Sequence, residues 1–223
     1  MSANPEPDNR AVAKHYAELA EHYRAKENKA CRRAYLELAR KTLAGFPLVL
    51  ELGGGASPLL PGLAGHTGCI CDLSLPMLRA QAGAGTPRAA ADAQALPFPE
   101  AAFDAAFCVN LLEHVPEPGA VFAECARVLR PGGRLLVITP NGDCAVLLEW
   151  LERLHLKLPE GPHRFLPTRE LARLPGPELR IVAHHSFLAL PAGPPALVRA
   201  IDTFTLHRAG LFQYLVAERQ DAR

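Results

Sequence analysis

The stretch Leu48-Val49-Leu50-Glu51-Leu52-Gly53-Gly54-Gly55-Ala56-Ser57 decides the fold of this chain. Four of its first five residues are aliphatic, which is typical of a short strand buried on both faces of a parallel sheet. The three glycines then turn the chain sharply and let backbone N–H groups approach a ligand directly. Open α/β sheets bind nucleotide-like cofactors at such a turn, although a tight strand-to-helix connection would use the same residues.

Short apolar runs alternate with helical or loop segments along most of the chain, which predicts a parallel, doubly wound sheet. The predicted strands are 48–52, 68–71, 88–91, 102–109, 134–139, 179–190 and 211–216. The predicted helices after the first strand are 58–64, 75–82, 119–130, 143–158, 167–174 and 195–207. The expected organisation is an N-terminal helical segment, 1–44, followed by one domain, 45–223, in which 143–175 inserts as a cap over the substrate.

The N-terminal segment has helical composition from 11 to 44, and we expect it to divide into two helices near Asn28. Tyr16 and Tyr23 lie on its apolar stripe. That stripe fits two interpretations: packing against the sheet, or a lid that closes over a bound cofactor.

The composition excludes several classes of protein. With 24 basic and 23 acidic residues the net charge is +1, and no basic run is present, so we expect no nucleic-acid partner. No segment reaches the roughly 18 apolar residues that span a bilayer, and the N-terminus lacks a secretory signal. The six cysteines form no CxxC pair and are expected to be reduced. These features predict a cytoplasmic protein without stable membrane association, as a monomer or a homodimer.

Acidic residues follow the second and third predicted strands. Asp72 ends the run Cys69-Ile70-Cys71, where a carboxylate can accept both ribose hydroxyl protons of an adenosine. It could instead cap the next helix, although Ser74 is better placed for that. Asp92 follows 89–91 and could accept from an adenine amino group, or could be a plain turn residue. Pro58 stands where a dinucleotide fingerprint has its last glycine, which argues against a nicotinamide cofactor.

Four motifs, LVLELGGGAS, CICDLSLPML, AADAQALPFPEAAFDAAFCVNLLEHV and ECARVLRPGGRLLVITPN, together resemble the class I S-adenosylmethionine-dependent methyltransferases. The resemblance implies a Rossmann-like, mostly parallel seven-stranded sheet with helices on both faces and an antiparallel last strand. It also implies S-adenosylmethionine as the cofactor. The residues expected to bind it, together with the two lid tyrosines, are Glu51, Gly53, Gly54, Gly55, Asp72, Leu73, Asp92, Ala93, Asn110, Tyr16 and Tyr23. One departure is Ser57, where the family often has a third glycine.

A narrower similarity concerns NLLEHVPEP and LPEGPHRFLPTREL, which look like the O-methyltransferases of ubiquinone biosynthesis. Some of that group bind a divalent metal through a Glu and a Glu-His pair. Here Asn110 replaces the first Glu before Glu113 and His114, so no metal is expected. His114 is the candidate general base, or else it orders the loop or contacts substrate without proton transfer.

The acceptor side is less specific in the sequence. His163 could face the acceptor, and Trp150 could form a wall for it, although the helix predicted at 143–158 could equally be an ordinary core helix. The expected function is methyl transfer to a small-molecule acceptor, most often at oxygen and otherwise at nitrogen, carbon or sulfur. The alternatives are a cofactor-binding regulatory protein without catalysis, and a nucleotide-dependent oxidoreductase.

Overall fold

The computed structural model describes residues 7–20, 23, 28–81, 85–153, 161–187 and 210–221, with 150–153 described by their backbone alone. Its helices are α1 (Asn9–Leu19), α2 (Lys29–Thr42), α3 (Leu75–Arg79), α4 (Pro118–Val128), α5 (Ala145–Arg153) and α6 (Thr168–Leu171). Its strands are β1 (Leu48–Leu52), β2 (Thr67–Asp72), β3 (Arg88–Ala90), β4 (Phe103–Val109), β5 (Leu129–Pro140), β6 (Leu179–Phe187) and β7 (Phe212–Arg219).

The seven strands form one sheet in the order β3-β2-β1-β4-β5-β7-β6. Strands β1 to β5 pair in parallel, whereas β7 runs antiparallel to both β5 and β6. The strand order reverses between β1 and β4, and open α/β sheets bind ligands outside the carboxyl ends of the strands at such a point. The predicted seven-stranded sheet with an antiparallel last strand is therefore confirmed.

Strand β1 is buried on both faces, as its aliphatic run predicts. Leu50 and Leu52 pack in a core that also contains Phe122 of α4. Val49, which points the other way, packs in a second core with Tyr35 of α2. Helices therefore cover both faces of the sheet, and the tip of β1 lies between two packed layers.

The two N-terminal helices begin at side-chain caps. Asp8 accepts a hydrogen bond from the backbone N–H of Ala11 at the start of α1. Asn28 accepts from the N–H groups of Ala30 and Cys31 at the start of α2, so the predicted division near Asn28 is confirmed.

Some predicted helices are shorter in the structure. The helix predicted over 58–64 is only a 3₁₀ turn, Leu60–Gly62, because two prolines lack a backbone N–H and the glycine has low helix propensity. The helix predicted over 119–130 ends at Val128, since Leu129 pairs with Phe103 and starts β5. Over 143–158, a 3₁₀ turn at Gly142–Cys144 precedes α5, which begins at Ala145. Residues 154–158, 188–190 and the predicted helix at 195–207 lie outside the described residues.

No helix within the described ranges is long and apolar enough to cross a bilayer. All six cysteines are free thiols. Burial raises the pKa values of the thiols of Cys71, Cys108 and Cys125, which keeps them protonated and unreactive.

Candidate active site

The glycine turn after β1 is shaped by backbone contacts that only glycine permits. Gly53 and Gly55 have positive φ angles of 67° and 50°. A Cβ atom at Gly54 would lie 2.4 Å from the Ile70 side chain. The N–H groups of Gly53 and Gly54 both donate to the carbonyl of Cys71, which draws the turn against the end of β2. The turn therefore presents bare backbone at the carboxyl edge of the sheet.

Glu51 holds the chain that follows the turn. Its carboxylate is buried and accepts from the N–H groups of Leu59 at 2.7 Å and Leu60 at 2.8 Å. Burial raises the pKa of Glu51 to about 7, although the two N–H donors and the nearby Arg32 favour the ionised form. Glu51 therefore shapes the loop and also supplies a carboxylate whose charge changes near neutral pH.

Asp72 ends β2 and faces the glycine turn. One carboxylate oxygen accepts from the N–H of Gly55 and the other from the N–H of Ser74, both at 2.8 Å. Burial raises the pKa of Asp72, while the two N–H donors lower it. Each oxygen keeps a further lone pair for a ligand. Ser74, rather than Asp72, caps α3 by accepting from Met77, as the sequence predicted.

Asp92 follows β3 and is held by two neighbours. One carboxylate oxygen accepts from the Nδ2 of Asn9 at 2.7 Å. The other accepts from the backbone N–H and the side-chain amide of Gln94. Asp92 is therefore oriented as an acceptor, and Asn9 of helix α1 donates to its Oδ2 atom.

Asn110 directly follows β4 and has a strained backbone conformation. Its φ angle is 50°, in the left-handed region that Asn tolerates better than most residues. Within the described part of the chain its Oδ1 atom is buried without a hydrogen-bond partner. Buried polar atoms are normally hydrogen-bonded, so this acceptor indicates a place for a ligand donor.

His114 lies in the 3₁₀ turn Leu112–His114 that follows β4. Its Nδ1 is 3.0 Å from the carbonyl oxygen of Pro162, and its Nε2 is 2.9 Å from the hydroxyl of Tyr16. A carbonyl can only accept, so Nδ1 carries the proton and Nε2 accepts from Tyr16. The basic nitrogen of this buried imidazole is thus the one that faces α1.

Helix α1 covers the open edge of these strands. Asn9 contacts Asp92, and seven residues later Tyr16 contacts His114. The ring of Tyr16 lies edge-on to those of His114, at 5.4 Å, and of Tyr23, at 6.2 Å between centroids. The two tyrosines pack over the strand tips, which agrees with the lid interpretation.

One cleft of about 1070 Å³, its open mouth included, collects the predicted residues. All eleven residues predicted to bind cofactor line it, and so does His114. His163 does not: it is buried behind His114, with 6.2 Å between the ring centroids and its Nδ1 2.8 Å from the carbonyl of Gly161. The backbone of Trp150 belongs to α5, but its side chain lies outside the described residues.

Several cleft residues were not anticipated from the sequence. They are Asn9, Val12 and Ala13 on α1, Tyr35 on α2 and Met77 on α3. Of these, only Met77 belongs to a motif, and the packing of helices against the strand ends brings all five to the cleft. In the described part of the chain, no three His, Cys, Asp or Glu side chains group closely enough to hold a metal ion.

The cleft fits a nucleoside with an amino-acid tail. Asp72 offers two carboxylate oxygens for the ribose hydroxyls, and the glycine turn brings backbone without side chains to the cleft. At the other end the buried Oδ1 of Asn110 can accept from an ammonium group.

Comparison with known proteins points the same way. Residues 50–137 match the model of the family described as "Methyltransferase domain". The ubiquinone biosynthesis O-methyltransferase of Xylella fastidiosa (strain M23) is 44% identical over 81 residues, and that of Dechloromonas aromatica (strain RCB) is 40% identical over 77 residues. The alignments cover 32% of this chain in both cases, and 32% and 33% of those proteins. The chain thus spans about a third of the length of these curated relatives.

Solved structures share the fold over a larger part of the chain. An S-adenosylmethionine-dependent methyltransferase from Thermotoga maritima has a TM-score of 0.65 at 19% identity, covering 95% of this chain and 97% of that one. The [4+2]-cyclase SpnF has a TM-score of 0.71 at 17% identity, covering 98% of both chains. At such identities the likeness shows the fold alone.

The matches confirm the predicted resemblance to the class I S-adenosylmethionine-dependent methyltransferases. The matched residues 50–137 contain most of β1, all of β2, β3 and β4, and most of β5.

Proposed function

We propose that this protein transfers a methyl group from S-adenosylmethionine to an oxygen of a small-molecule acceptor. The observation that carries the proposal is the single cleft lined by every residue that the methyltransferase resemblance assigns to the cofactor. The curated relatives support oxygen as the acceptor atom, since they are named O-methyltransferases. Transfer to nitrogen, carbon or sulfur is a less favoured alternative.

In this proposal the donor side holds the cofactor with groups that are already oriented. The carboxylate of Asp72 accepts from the ribose hydroxyls, and Asp92 with the N–H of Ala93 binds the adenine. The glycine turn and Asn110 receive the amino-acid tail, while Leu73, Tyr16 and Tyr23 cover the nucleoside. When bound, S-adenosylmethionine supplies a methyl group on a sulfonium, which a nucleophile attacks in line.

On the acceptor side, His114 takes the proton of the acceptor hydroxyl. Its Nδ1 proton is held by the Pro162 carbonyl, which leaves Nε2 as the base. Tyr16 now donates to that nitrogen, so the acceptor hydroxyl takes the place of the Tyr16 hydroxyl when substrate binds. A neutral imidazole suits this task near neutral pH. His163, behind His114, would then position the base rather than face the acceptor.

A second candidate is a protein of this fold that does not transfer methyl groups. SpnF, a [4+2]-cyclase, has this fold, and a fold by itself does not fix the chemistry. This candidate predicts cofactor binding without any methylated product.

Isotope transfer separates the two candidates. The protein is incubated with S-adenosylmethionine carrying a labelled methyl group and a small-molecule extract or a panel of phenols and alcohols, and products are identified by mass spectrometry. We expect one labelled O-methyl ether, which forms far more slowly with His114→Ala. Cofactor binding without a labelled product from any acceptor would favour the second candidate.

A further inference from the structure

Arg32 of α2 holds the far end of the glycine turn. Its guanidinium donates to the carbonyl of Ser57 at 2.8 Å, to the hydroxyl of Ser57 at 2.9 Å and to the carbonyl of Pro58 at 2.8 Å. The first two bonds come from Nη1 and the third from Nη2, so both arms of the planar group are used. Three bonds from one part-buried cation fix this piece of backbone in one place.

Ser57 is the position where the methyltransferases often have a glycine. A glycine would keep the two carbonyl acceptors but would remove the hydroxyl that Arg32 also binds. The departure from the family pattern is therefore matched by a partner on α2, 25 residues earlier in the chain.

Arg32 also acts on Glu51. Its positive charge favours the ionised carboxylate, and both carboxylate oxygens of Glu51 accept N–H groups just beyond the Arg32 contacts, at Leu59 and Leu60. The other titratable groups near Glu51 are Asp72, whose charge raises the pKa of Glu51, and the thiol of Cys71. Arg32 and Glu51 thus hydrogen-bond to consecutive parts of the segment 57–60, which follows the turn.

We propose that Arg32 is a positioning residue for the cofactor: it fixes the end of the glycine turn through Ser57 and Pro58 and places a positive charge near Glu51. The inference rests on the proposed binding of S-adenosylmethionine in this cleft. It assigns to the N-terminal segment a direct part in the donor site, in addition to the lid formed by α1.

The test is calorimetric titration of the full chain with S-adenosylhomocysteine, the demethylated product, between pH 6 and pH 8.5. Arg32→Ala should raise the dissociation constant about tenfold at pH 7.5, since it removes three charge-assisted hydrogen bonds. Arg32→Lys should restore part of the affinity, and Ser57→Gly should lose less than Arg32→Ala because both carbonyl acceptors remain. The matched control is Arg33→Ala, the exposed neighbour on α2, which should bind as the wild type does.

The pH dependence distinguishes positioning from general support of the fold. In the wild type the affinity should rise as Glu51 ionises near pH 7, and in Arg32→Ala the midpoint should move to higher pH. Equal affinity of Arg32→Ala and Arg33→Ala at every pH, or an unmoved midpoint, would overturn the inference. Should Arg32→Ala not fold, Arg32→Lys and Ser57→Gly carry the same test, and wild-type affinity with an unmoved midpoint in both would overturn it. Failure of the wild type to bind S-adenosylhomocysteine would instead contradict the proposed function.

Discussion

The two halves of the cleft are built differently. On the donor side, Glu51 and Asp72 are held by backbone N–H groups at most 17 residues away in the chain. On the acceptor side, His114 is held by Tyr16, 98 residues away, and by the carbonyl of Pro162, 48 residues away. Glu51 and Asp72 are thus placed mainly by nearby strand ends and turns, whereas His114 depends on the assembled fold. The N-terminal helices reach the donor side as well, through Asn9 and Arg32. Substitutions on the donor side should therefore lower cofactor affinity, and those on the acceptor side should lower turnover.

The largest effect is expected on the acceptor side. His114→Ala removes the base, so turnover should fall by ~100-fold or more, within the range of general-base catalysis. The dissociation constant of S-adenosylhomocysteine should stay nearly unchanged, because no donor-side carboxylate is touched. Steady-state kinetics and calorimetry measure the two quantities. His185→Ala, exposed on β6, is the control. Unchanged turnover in His114→Ala would remove it from the mechanism.

The next largest effect is expected on the donor side, where a substitution should weaken cofactor binding. Asp72→Ala removes the acceptors for both ribose hydroxyls and releases the N–H of Gly55, so affinity for S-adenosylhomocysteine should fall ~30-fold or more. Asp104→Asn is the control, since Asp104 also accepts a backbone N–H, from Leu48, but lies outside the cleft. An equal loss in both variants would mean that the fold, rather than ribose binding, had been lost.

Glu51 should make both the stability of the protein and its cofactor affinity depend on pH. Burial raises its pKa from 4.5 to about 7, so the folded protein binds more protons than the unfolded chain between these values. The contribution of Glu51 to the free energy of unfolding should therefore fall as the pH rises from 4.5 to 7, whereas cofactor affinity should rise as the carboxylate ionises. Thermal unfolding and calorimetry across this range should show opposite trends. Both should flatten in Glu51→Gln, and trends that persist in that variant would assign them to another group.

The smallest effect is expected at the lid. Tyr16→Phe keeps the ring that packs on His114 and Tyr23 but removes the hydroxyl that donates to Nε2 of His114. Because the acceptor hydroxyl is proposed to displace the Tyr16 hydroxyl, turnover should change by about threefold or less. A loss as large as that in His114→Ala would show that the proton passes through Tyr16, which would contradict displacement.

This contrast also explains what could be predicted from the sequence. Glu51, the glycines, Asp72 and Asp92 stand at the ends of apolar runs, so strand patterning alone brought them to one edge of the sheet. The location of His114 followed from the motif after β4. Its partners Tyr16 and Pro162 could not be predicted as partners, because only the packing of α1 and the 161–165 loop brings them to the imidazole.

The contacts of Asn9 and Arg32 had no signal in the sequence. Each is a single polar side chain on a helix, and its contact with Asp92 or Ser57 depends on how that helix packs against the sheet. The bonds from the N–H groups of Leu59 and Leu60 to Glu51 likewise had no signal in the sequence, because they depend on how the chain turns back after β1.

The most direct test of the central claim is one calorimetric series in which S-adenosylhomocysteine is titrated into the wild type, Asp72→Ala and His114→Ala. The account predicts that the wild type and His114→Ala bind with similar affinity and that Asp72→Ala binds far more weakly. Absence of binding by the wild type, or equal binding by all three proteins, would contradict the assignment of this cleft to the methyl donor.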